Sequence, residues 1–385
     1  MPGPGMFDAE ILPYGVFTTL DRPGVRRVGV AVEDRILDLS QTRVPHPALF
    51  AYGTLDPFLV AGPEVWNEVR EALLGGLRGP YVPMSEATLH LPFSVADYVD
   101  FYASEHHATN VGRILRPGRH PLTPNWMHLP IAYHGRSGTV VVSGTEIHRP
   151  SGQFRPENSA EPFFGPTRRL DFEAELGFVV GAPSAMGSPV PVSRFAEHVF
   201  GVCVVNDWSA RDLQAWEYVP LGPFLGKSFA TSVSPWVVPL AALDGFRVPS
   251  RSGETPLLPY LRETEDRGLD LTLEIRLNGH VLSRPPYSSM HWSPAQMLAH
   301  LTANGACLRP GDLYASGTVS GPDPEDAGSL IELTAGGEQG LILPDGSART
   351  WLEDGDEVEI AAVLPDGRFL GSVAGRISRS APVAL

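Results

Sequence analysis

The hydrophobic pattern of residues 1–93 predicts a small β-rich unit. Two apolar runs, residues 28–32 and 36–39, flank the polar segment Glu33-Asp34-Arg35 and predict a hairpin. A helix is expected to begin at Pro63 and to stop at Gly75-Gly76. Its apolar face is formed by Val65, Trp66, Val69 and Leu73.

The remaining chain, residues 94–385, is predicted to consist mostly of strands. Residues 269–277 carry an apolar side chain at every second position and run into Asn278-Gly279, a strong hairpin signal. One helix is marked by a capping box at Ser293-Pro294-Ala295-Gln296 and is expected to stop at Asn304-Gly305. We therefore place a domain boundary near residue 93, between the small unit and a larger β domain.

An acidic strand, residues 170–180, is the most informative segment. In an extended strand, Asp171, Glu173 and Glu175 lie on one face, and the apolar residues that follow favour entry into the core. Neighbouring carboxylates on a buried face repel one another and are costly to desolvate, and a hard cation with oxygen ligands removes both problems. An exposed acidic face on a half-solvated sheet is the alternative, and this segment alone does not decide between the two.

A second polar segment follows the apolar run of residues 202–205. With helical spacing, four polar residues form one continuous stripe: Asp207, Arg211, Gln214 and Tyr218. In this interpretation Asp207 also caps the helix. A solvated helix face is the alternative, but Trp208 and Trp216 on the same helix favour a polar site.

The glycine-rich segment of residues 221–229 resembles two catalytic loops without matching either. It has too few residues between its glycines for a phosphate-binding loop, and it lacks the final glycine of a nucleophile elbow. We therefore predict neither a phosphate cradle nor a serine nucleophile. Lys227 stands among apolar neighbours and is predicted to be a buried cation.

One histidine stands out among the 12 in the chain. His107 follows Asp100 and Tyr102 closely and is a candidate general base, although a lone histidine is more often structural. No cysteine–histidine cluster with zinc-ligand spacing occurs in the sequence, so zinc is not expected. Thr318 and Glu332 are weak signals when taken alone.

Composition narrows the range of partners. The 385 residues carry a formal net charge of −15, which disfavours binding to nucleic acid and to anionic membrane surfaces. The 2 cysteines suit a reducing compartment, and we see no signal peptide, so a cytoplasmic protein is expected. The 40 glycines and 38 prolines exclude a helical bundle, and the proline-rich residues 248–260 are predicted to form a surface loop.

Several segments together resemble the fumarylacetoacetase family. They are Tyr14-Gly15-Val16-Phe17, Asp100-Phe101-Tyr102, His107-Ala108-Thr109-Asn110, LDFEAE at 170–175, NDWSARD at 206–212, PLGPFLGKSF at 220–229, RPGDL at 309–313 and ASGT at 315–318. The resemblance spans nearly the whole chain. Ala230 is a departure, because the family pattern leads us to expect glycine there.

This resemblance implies a fold and an activity. The expected fold is mainly β, with a small N-terminal SH3-like barrel over residues 1–93 and a C-terminal β-sandwich roll over residues 94–385 that houses the site. The implied reaction is hydrolysis of a carbon–carbon bond in 4-fumarylacetoacetate, a diketo dicarboxylate, to fumarate and acetoacetate, the last step of tyrosine and phenylalanine breakdown. A homodimer is also implied.

The resemblance also assigns roles to individual residues. It implies a calcium site and a neighbouring magnesium site. The calcium ligands would be Asp100, Glu173, Glu175 and Asp207, and the magnesium site would use Asp207, Lys227 and Thr231. The catalytic residues would be His107, Glu332, Arg211, Gln214 and Lys227. The substrate-binding residues would be Tyr102, Arg116, Tyr133, Gln214, Tyr218 and Thr318.

Chemical reasoning agrees with these roles. His107 can take a proton from water while Glu332 orients its ring, and Arg211, Gln214 and Lys227 can donate to an oxyanion. Calcium could act as a Lewis acid towards the diketone oxygens. Two alternatives stay open: a related acylpyruvate hydrolase or 2-oxo acid decarboxylase or isomerase of the same superfamily, and a metal-binding scaffold without catalytic activity.

Overall fold

The computed structural model describes residues 6–76, 78–156, 159–251 and 256–380. Its α-helices are α1 (Asp56–Val60), α2 (Pro63–Leu74), α3 (Glu105–Leu115), α4 (Phe195–His198), α5 (Arg211–Glu217), α6 (Pro294–Thr302) and α7 (Leu330–Leu333). Its first strands are β1 (Tyr14–Thr19), β2 (Arg22–Val32), β3 (Arg35–Asp38), β4 (Tyr81–Pro83), β5 (Ala87–His90), β6 (Asp97–Phe101), β7 (Ala132–His134), β8 (Val140–Val142), β9 (Ile147–His148), β10 (Ser151–Phe154), β11 (Phe163–Pro166), β12 (Leu170–Asp171) and β13 (Ala174–Val180).

The remaining strands are β14 (Val199–Asp207), β15 (Ser209–Ala210), β16 (Thr231–Val233), β17 (Trp236–Pro239), β18 (Arg247–Val248), β19 (Gly268–Leu269), β20 (Thr272–Leu277), β21 (His280–Ser283), β22 (Asp312–Ala315), β23 (Leu341–Ile342), β24 (Ala348–Arg349), β25 (Glu357–Val363) and β26 (Phe369–Ser378). The chain is therefore mainly β, as predicted. Among the described segments, none of the helices combines the length and the apolar character that a membrane span requires.

A large sheet forms the centre of the molecule. Its strands follow the order β4-β3-β2-β1-β17-β14-β13-β22-β6-β7, with β5 added beside β1 and β16 beside β14. Most neighbouring strands in its central part are antiparallel, but β22 and β6 are parallel. This arrangement brings the ends of β6, β13 and β14 close together, and these ends carry the acidic residues of the candidate site.

A second sheet covers one face of the large sheet. It has the order β21-β20-β25-β26-β9, and its inward side chains share one apolar cluster with Leu176, Phe178, Val202 and Val204 of the central strands. The opposite face of β13 and β14 is also covered, since Val179 and Cys203 belong to a second apolar cluster. Strands buried on both faces need apolar side chains at every position, which explains the continuous apolar runs in the sequence.

The N-terminal segment joins the large sheet directly. The predicted hairpin is confirmed as β2 and β3, which meet at the pair Val32↔Arg35, and the predicted helix is confirmed as α2. Strand β1 pairs with β17 of the later segment, and the Tyr14 ring lies 5.5 Å from the Phe200 ring, centroid to centroid. An SH3-like barrel and a domain boundary near residue 93 remain predictions.

Two predicted strands are interrupted in the structure. The acidic strand breaks between β12 and β13, and every residue from Asp171 to Val180 is buried, so the alternative of an exposed acidic face is wrong. The apolar run of residues 269–277 is likewise divided between β19 and β20. In the predicted surface loop of residues 248–260, residues 252–255 lie outside the described part of the chain.

The predicted helical stripe is wrong at its first member, Asp207, whereas Arg211 and Gln214 lie on α5 and Tyr218 directly follows it. Asp207 is the last residue of β14, and α5 begins only at Arg211 with Ala210 in the capping position. The reason is that Asp207 continues the ladder with β16, opposite Thr231, so its backbone is extended. The helix at Ser293 is confirmed with both hydrogen bonds of its capping box.

Candidate active site

Four carboxylates meet at the ends of the central strands. Asp100 lies near the end of β6, Asp207 ends β14, Glu175 lies in β13, and Glu173 directly precedes β13. Oxygen atoms of these side chains lie within 4.8 Å of one another, and all four residues are buried. Such a group of oxygen ligands suits a hard divalent cation.

Three carboxylate oxygens of this cluster lack partners among the described residues. Asp100 Oδ1 and both carboxylate oxygens of Glu175 accept no hydrogen bond from any described residue. Burial, together with the negative charges of the other cluster carboxylates, raises the pKa of Asp100 and that of Glu175 well above their ordinary values. Unpaired buried carboxylates are costly, and a divalent cation would offset that cost, so the residues fit a metal ion.

Two buried cations flank the cluster on the side of Glu173. Lys227 Nζ donates to Glu173 and, at 2.6 Å, to Asp207 Oδ2, while Arg211 Nη2 donates to Glu173 Oε1 at 2.6 Å. Burial alone would raise the pKa of Glu173, but the charges of Lys227 and Arg211 outweigh it and hold that pKa well below its usual range. Glu173 is therefore held as an anion.

Arg211 is itself held from behind by Asp171. Its Nε donates to Asp171 Oδ2 at 2.7 Å, and the same carboxylate accepts the backbone N–H groups of Leu330 and Ile331 at the start of α7. Asp171 is completely buried. One carboxylate thus connects Arg211 to the short helix that carries Glu332.

His107 and Glu332 form a buried pair. His107 lies in the first turn of α3, whose capping residue Ser104 accepts the backbone N–H of His107, and Glu332 lies in α7. The distance from His107 Nδ1 to Glu332 Oε2 is 2.6 Å. His107 Nε2 lies 3.8 Å from Glu173 Oε1, at the edge of the acidic cluster. This geometry leaves Nε2 directed towards the site.

Glu332 is stabilised as an anion. Burial alone would raise its pKa, but the charge of His107 and several hydrogen bonds hold the pKa of Glu332 below its ordinary value. Besides His107, the donors are Asn110 Nδ2 at 3.0 Å, Ser320 Oγ at 2.9 Å and Ser329 Oγ at 2.6 Å. An ionised Glu332 keeps the proton of the imidazole on Nδ1, which makes Nε2 an acceptor.

A cavity of about 520 Å³ opens over these groups. Of the residues predicted for the site, those that line it are Asp100, Tyr102, His107, Arg116, Tyr133, Glu173, Arg211, Gln214, Tyr218, Lys227 and Thr318. Four predicted residues are outside the lining but have buried side chains: Glu175, Asp207, Thr231 and Glu332. The structure therefore brings the predicted residues together at one place.

The walls of the cavity contain hydroxyl and amide groups. Tyr133 Oη donates to Asp207 Oδ2 at 2.7 Å, and Gln214 Oε1 accepts from Arg211 Nη1 at 3.1 Å. Thr318 is buried, and its Oγ1 has no hydrogen-bond partner among the described residues. Thr318 is placed by Gly317, whose φ of +74° and close approach to Phe101 O leave no room for a side chain.

The outer part of the cavity contains a cation and two phenols. Arg116 Nη2 donates to the carbonyl oxygen of Pro121 at 2.7 Å, and the Tyr102 ring lies edge-on to the His107 ring with 5.4 Å between centroids. Burial raises the pKa of Tyr102, so its hydroxyl stays a donor. Tyr218 follows α5 at the rim.

Comparisons with known proteins agree with this geometry. A family model described as fumarylacetoacetate hydrolase C-terminal matches residues 97–378, and one described as fumarylacetoacetase N-terminal matches residues 10–92. The fumarylacetoacetase of Rattus norvegicus is 45% identical over 402 residues, covering 96% of each chain. The chain belongs to the fumarylacetoacetase family. The Homo sapiens and Arabidopsis thaliana proteins of that name are 43% and 41% identical, and each alignment covers at least 96% of both chains.

Solved structures with low sequence identity share the fold. A fumarylacetoacetate hydrolase from Exiguobacterium antarcticum has a TM-score of 0.59 at 17% identity, covering 96% of this chain and 99% of that one. A maleylpyruvate hydrolase from a Sphingobium species has a TM-score of 0.53 at 16% identity, covering 96% and 100%. At this level of identity the likeness describes the fold of the family alone.

Sequence reasoning missed the residues that support the site. It placed Asp171 on the acidic strand without a role, and it quoted Asn110 only as part of the family resemblance. Ser320 and Ser329 lie only 12 and 3 residues from Glu332 in the chain, but neither belongs to a family motif, so neither carried a signal. Ala230, where glycine was expected, is buried and is absent from the described residues with positive φ, so its position accepts a side chain.

Proposed function

We propose that this protein hydrolyses 4-fumarylacetoacetate to fumarate and acetoacetate, the activity named by its curated relatives, in the breakdown of tyrosine and phenylalanine. The observation that carries the proposal is the His107–Glu332 pair beside a buried cluster of carboxylates, inside a cavity with one outer arginine. A 1,3-diketone with terminal carboxylates matches this arrangement of a base, a cation site and Arg116.

Substrate binding is assigned to the outer cavity. Arg116 would pair with a terminal carboxylate, and the Tyr102 hydroxyl would donate to the same group or to a nearby carbonyl oxygen. Thr318 offers a buried hydroxyl without a partner among the described residues, which suits a hydrogen bond to substrate. Tyr218 at the rim and Tyr133 deeper inside would limit the length of the bound molecule.

Catalysis is assigned to His107. Its Nε2 would take a proton from a water molecule, whose oxygen adds to the carbonyl carbon next to the fumaryl group. The carbon–carbon bond then breaks, fumarate leaves with the added oxygen, and the electron pair remains on the acetoacetate fragment, which takes up a proton. Glu332 would stabilise the imidazolium that forms.

The developing oxyanion would be stabilised by groups that already stand in place. The oxygen of Gln214 accepts from Arg211, which leaves the amide N–H₂ group able to donate. Lys227 donates two ammonium protons to Glu173 and Asp207 and has a third one left. Arg211 is fixed by carboxylates on both sides. Donors that need no reorganisation act most strongly in such a buried place.

The cation site is assigned to calcium, with a second site for magnesium. Asp100, Glu173, Glu175 and Asp207 would hold calcium, which supplies Lewis-acid polarisation of the diketone oxygens when bound. Asp207, Thr231 and an oxygen of Lys227 would hold magnesium. In support, Thr231 Oγ1 lies 3.3 Å from Asp207 Oδ1.

Loss of fumarylacetoacetate absorbance tests the proposed reaction. The purified protein should consume the substrate, stop after treatment with a chelator, and recover when calcium or magnesium is returned. His107→Ala should lower the rate by about 10²–10⁴-fold while calcium affinity is kept. His198→Ala removes a buried histidine outside the cavity and serves as the control.

An acylpyruvate assayed in parallel separates this proposal from its closest alternative. Cleavage of the acylpyruvate without cleavage of fumarylacetoacetate would place the protein with a related hydrolase of the superfamily. No turnover of either compound by metal-loaded protein would favour a scaffold without catalytic activity. Normal turnover by His107→Ala would remove the assigned base.

A homodimer and a cytoplasmic location complete the proposal. Large apolar side chains lie exposed near the mouth of the cavity, among them Leu221 at 97% and Phe224 at 59% exposure. Covering them with a second copy would remove apolar surface from water. Light scattering after size-exclusion chromatography should give twice the monomer mass of 41.6 kDa.

A further inference from the structure

A second cavity, separate from the candidate active site, lies where the N-terminal segment packs on the rest of the chain. It has a volume of about 150 Å³ and is bordered by α2, the beginning of β14 and the 3-10 helix Leu240–Phe246. None of its lining residues lines the active-site cavity. No role of this region is required by the proposed reaction.

Two buried donors in this cavity lack partners. Tyr14 is 1% exposed, and its hydroxyl makes no hydrogen bond with any described residue. Arg247 Nη1 is also buried without a partner among those residues, although Nη2 of the same guanidinium reaches Asp244 at 3.3 Å. Burial raises the pKa of Tyr14, so its hydroxyl stays protonated and can donate. Both groups need an acceptor that the described residues do not supply.

The cavity is also locally positive. Arg70 lines it together with Arg247, and both Arg70 Nη atoms donate to neutral carbonyl oxygens, those of Ile11 and Glu10. Asp244 is the one acidic residue among those that line the cavity, and its side chain is 71% exposed. Two cations therefore face one solvated carboxylate, in a protein whose net charge is −15.

Apart from Asn67, the rest of the lining is apolar. Trp66, Phe200 and Leu240 form walls beside the polar groups, and the indole N–H of Trp66 is already bonded to carbonyl oxygens of α1. An apolar cavity of about 150 Å³ holds a molecule the size of benzene. A ligand that fills this space thus has few heavy atoms, one anionic end and one apolar end.

We propose that this cavity, with Tyr14, Arg70 and Arg247, is a binding site for a short-chain monocarboxylate. The carboxylate accepts from the Tyr14 hydroxyl and from Arg247 Nη1, and the alkyl end packs against Phe200 and Leu240. Inorganic phosphate would satisfy the donors but would leave the apolar walls without contacts. A carboxylate of two to four carbons uses both halves of the cavity.

Butyrate is the probe for this site, with sodium chloride at equal ionic strength as the baseline. Titration calorimetry and thermal melting of the metal-loaded protein should show saturable binding and a rise in melting temperature with butyrate concentration. Arg247→Met keeps the aliphatic stem and removes the charge, and should abolish both effects. Tyr14→Phe removes only the hydroxyl and should weaken binding by about tenfold, which corresponds to about 1.4 kcal/mol.

Two control variants locate the binding. Arg376→Met changes an exposed arginine of β26 and should bind butyrate like the parent protein. Arg116→Met alters the proposed carboxylate site in the active-site cavity and should leave butyrate binding unchanged. Circular dichroism verifies that each variant is folded, and Tyr14→Phe is expected to fold because it removes an unpaired buried hydroxyl.

Three results would overturn the proposal. Butyrate binding that survives Arg247→Met but is lost in Arg116→Met would belong to the active site. Phosphate binding as tight as butyrate binding would contradict the role of the apolar walls. Absence of any butyrate effect beyond that of sodium chloride would show that the cavity holds only solvent.

Discussion

Asp171 holds Arg211 in place with a hydrogen bond of 2.7 Å from Nε to Oδ2, and both side chains are buried. Arg211 in turn contacts Glu173 of the acidic cluster, while Asp171 accepts backbone N–H groups at the start of α7. Asp171 touches neither the cavity nor the cluster. It is a positioning residue, since it fixes Arg211, which lines the cavity, and the start of the helix that carries Glu332.

Asp171→Asn should reduce turnover more than binding. Asparagine keeps the shape of the side chain but loses the charge that orients Arg211. We therefore expect kcat to fall by up to roughly 10²-fold, the effect of losing an oxyanion donor, and KM to change less. Steady-state kinetics on folded protein measures this split. Asp356→Asn is the matched control, because Asp356 is a buried partner of Arg349 outside the cavity. Equal losses of kcat in the two variants would show that Asp171 contributes to stability and does not position Arg211.

Glu332→Gln should disable the proposed base. A glutamine amide can donate to His107 Nδ1, and the proton of the neutral ring then moves to Nε2. Nε2 can no longer accept a proton from water. Such a change of tautomer lowers kcat by up to about 10⁴-fold in a comparable triad. Ser329→Ala, which removes one donor to Glu332 but keeps the carboxylate, should lower kcat by much less. The pH dependence of kcat for both variants is the measurement, and a similar loss in both would contradict the assignment.

Glu175→Gln should weaken calcium binding and yet not harm the metal-free protein. The substitution removes an anionic ligand, but it also removes a buried carboxylate that repels Asp100 and Asp207. Calorimetry should therefore show weaker calcium affinity, while the variant in chelator melts at or above the temperature of the parent. Glu263→Gln changes a half-buried carboxylate outside the cluster and should leave calcium affinity unaltered. An unchanged calcium affinity in Glu175→Gln would remove Glu175 from the site.

Metal binding should release protons. Because the pKa of Asp100 and that of Glu175 are raised in the metal-free protein, their neutral forms persist at a higher pH than in free carboxylates. The ligands must lose those protons to bind a cation, so affinity should increase as pH rises through these pKa values. Calorimetry in buffers of different ionisation enthalpy measures the proton count directly. Proton uptake on binding calcium would contradict the raised pKa values.

Local signals in the sequence predicted the regular elements well where they were self-contained. The helix that begins at Pro63 and the hairpin at Asn278-Gly279 depend on capping and turn residues, and both form as predicted. The helix before Arg211 does not form, since pairing of Asp207 with β16 outweighs the local preference. Tertiary pairing of this kind is invisible to a periodicity argument.

For the candidate site, too, local sequence features predicted more than tertiary contacts could. Resemblance to the family named the residues that line the cavity, because those residues lie in short, recognisable motifs. It did not identify the supporting contacts of Asp171, since these join segments far apart in sequence. Ser320 and Ser329 lie close to Glu332 in the chain, but they belong to none of the family motifs. The alternation of Asp171, Glu173 and Glu175 suggested a shared face, but the interruption after β12 sends Asp171 towards Arg211 instead.

The pairing of β1 with β17 joins the two matched segments in one sheet. A chain that lacked the first ninety residues would expose the edge of β17 together with Phe200, and such an open edge invites self-association. The small N-terminal unit is therefore an outer part of the sheet that carries the active site and not a removable module. We expect that exchanging it for an unrelated domain would leave β17 without its β1 partner and lower the solubility of the remaining chain.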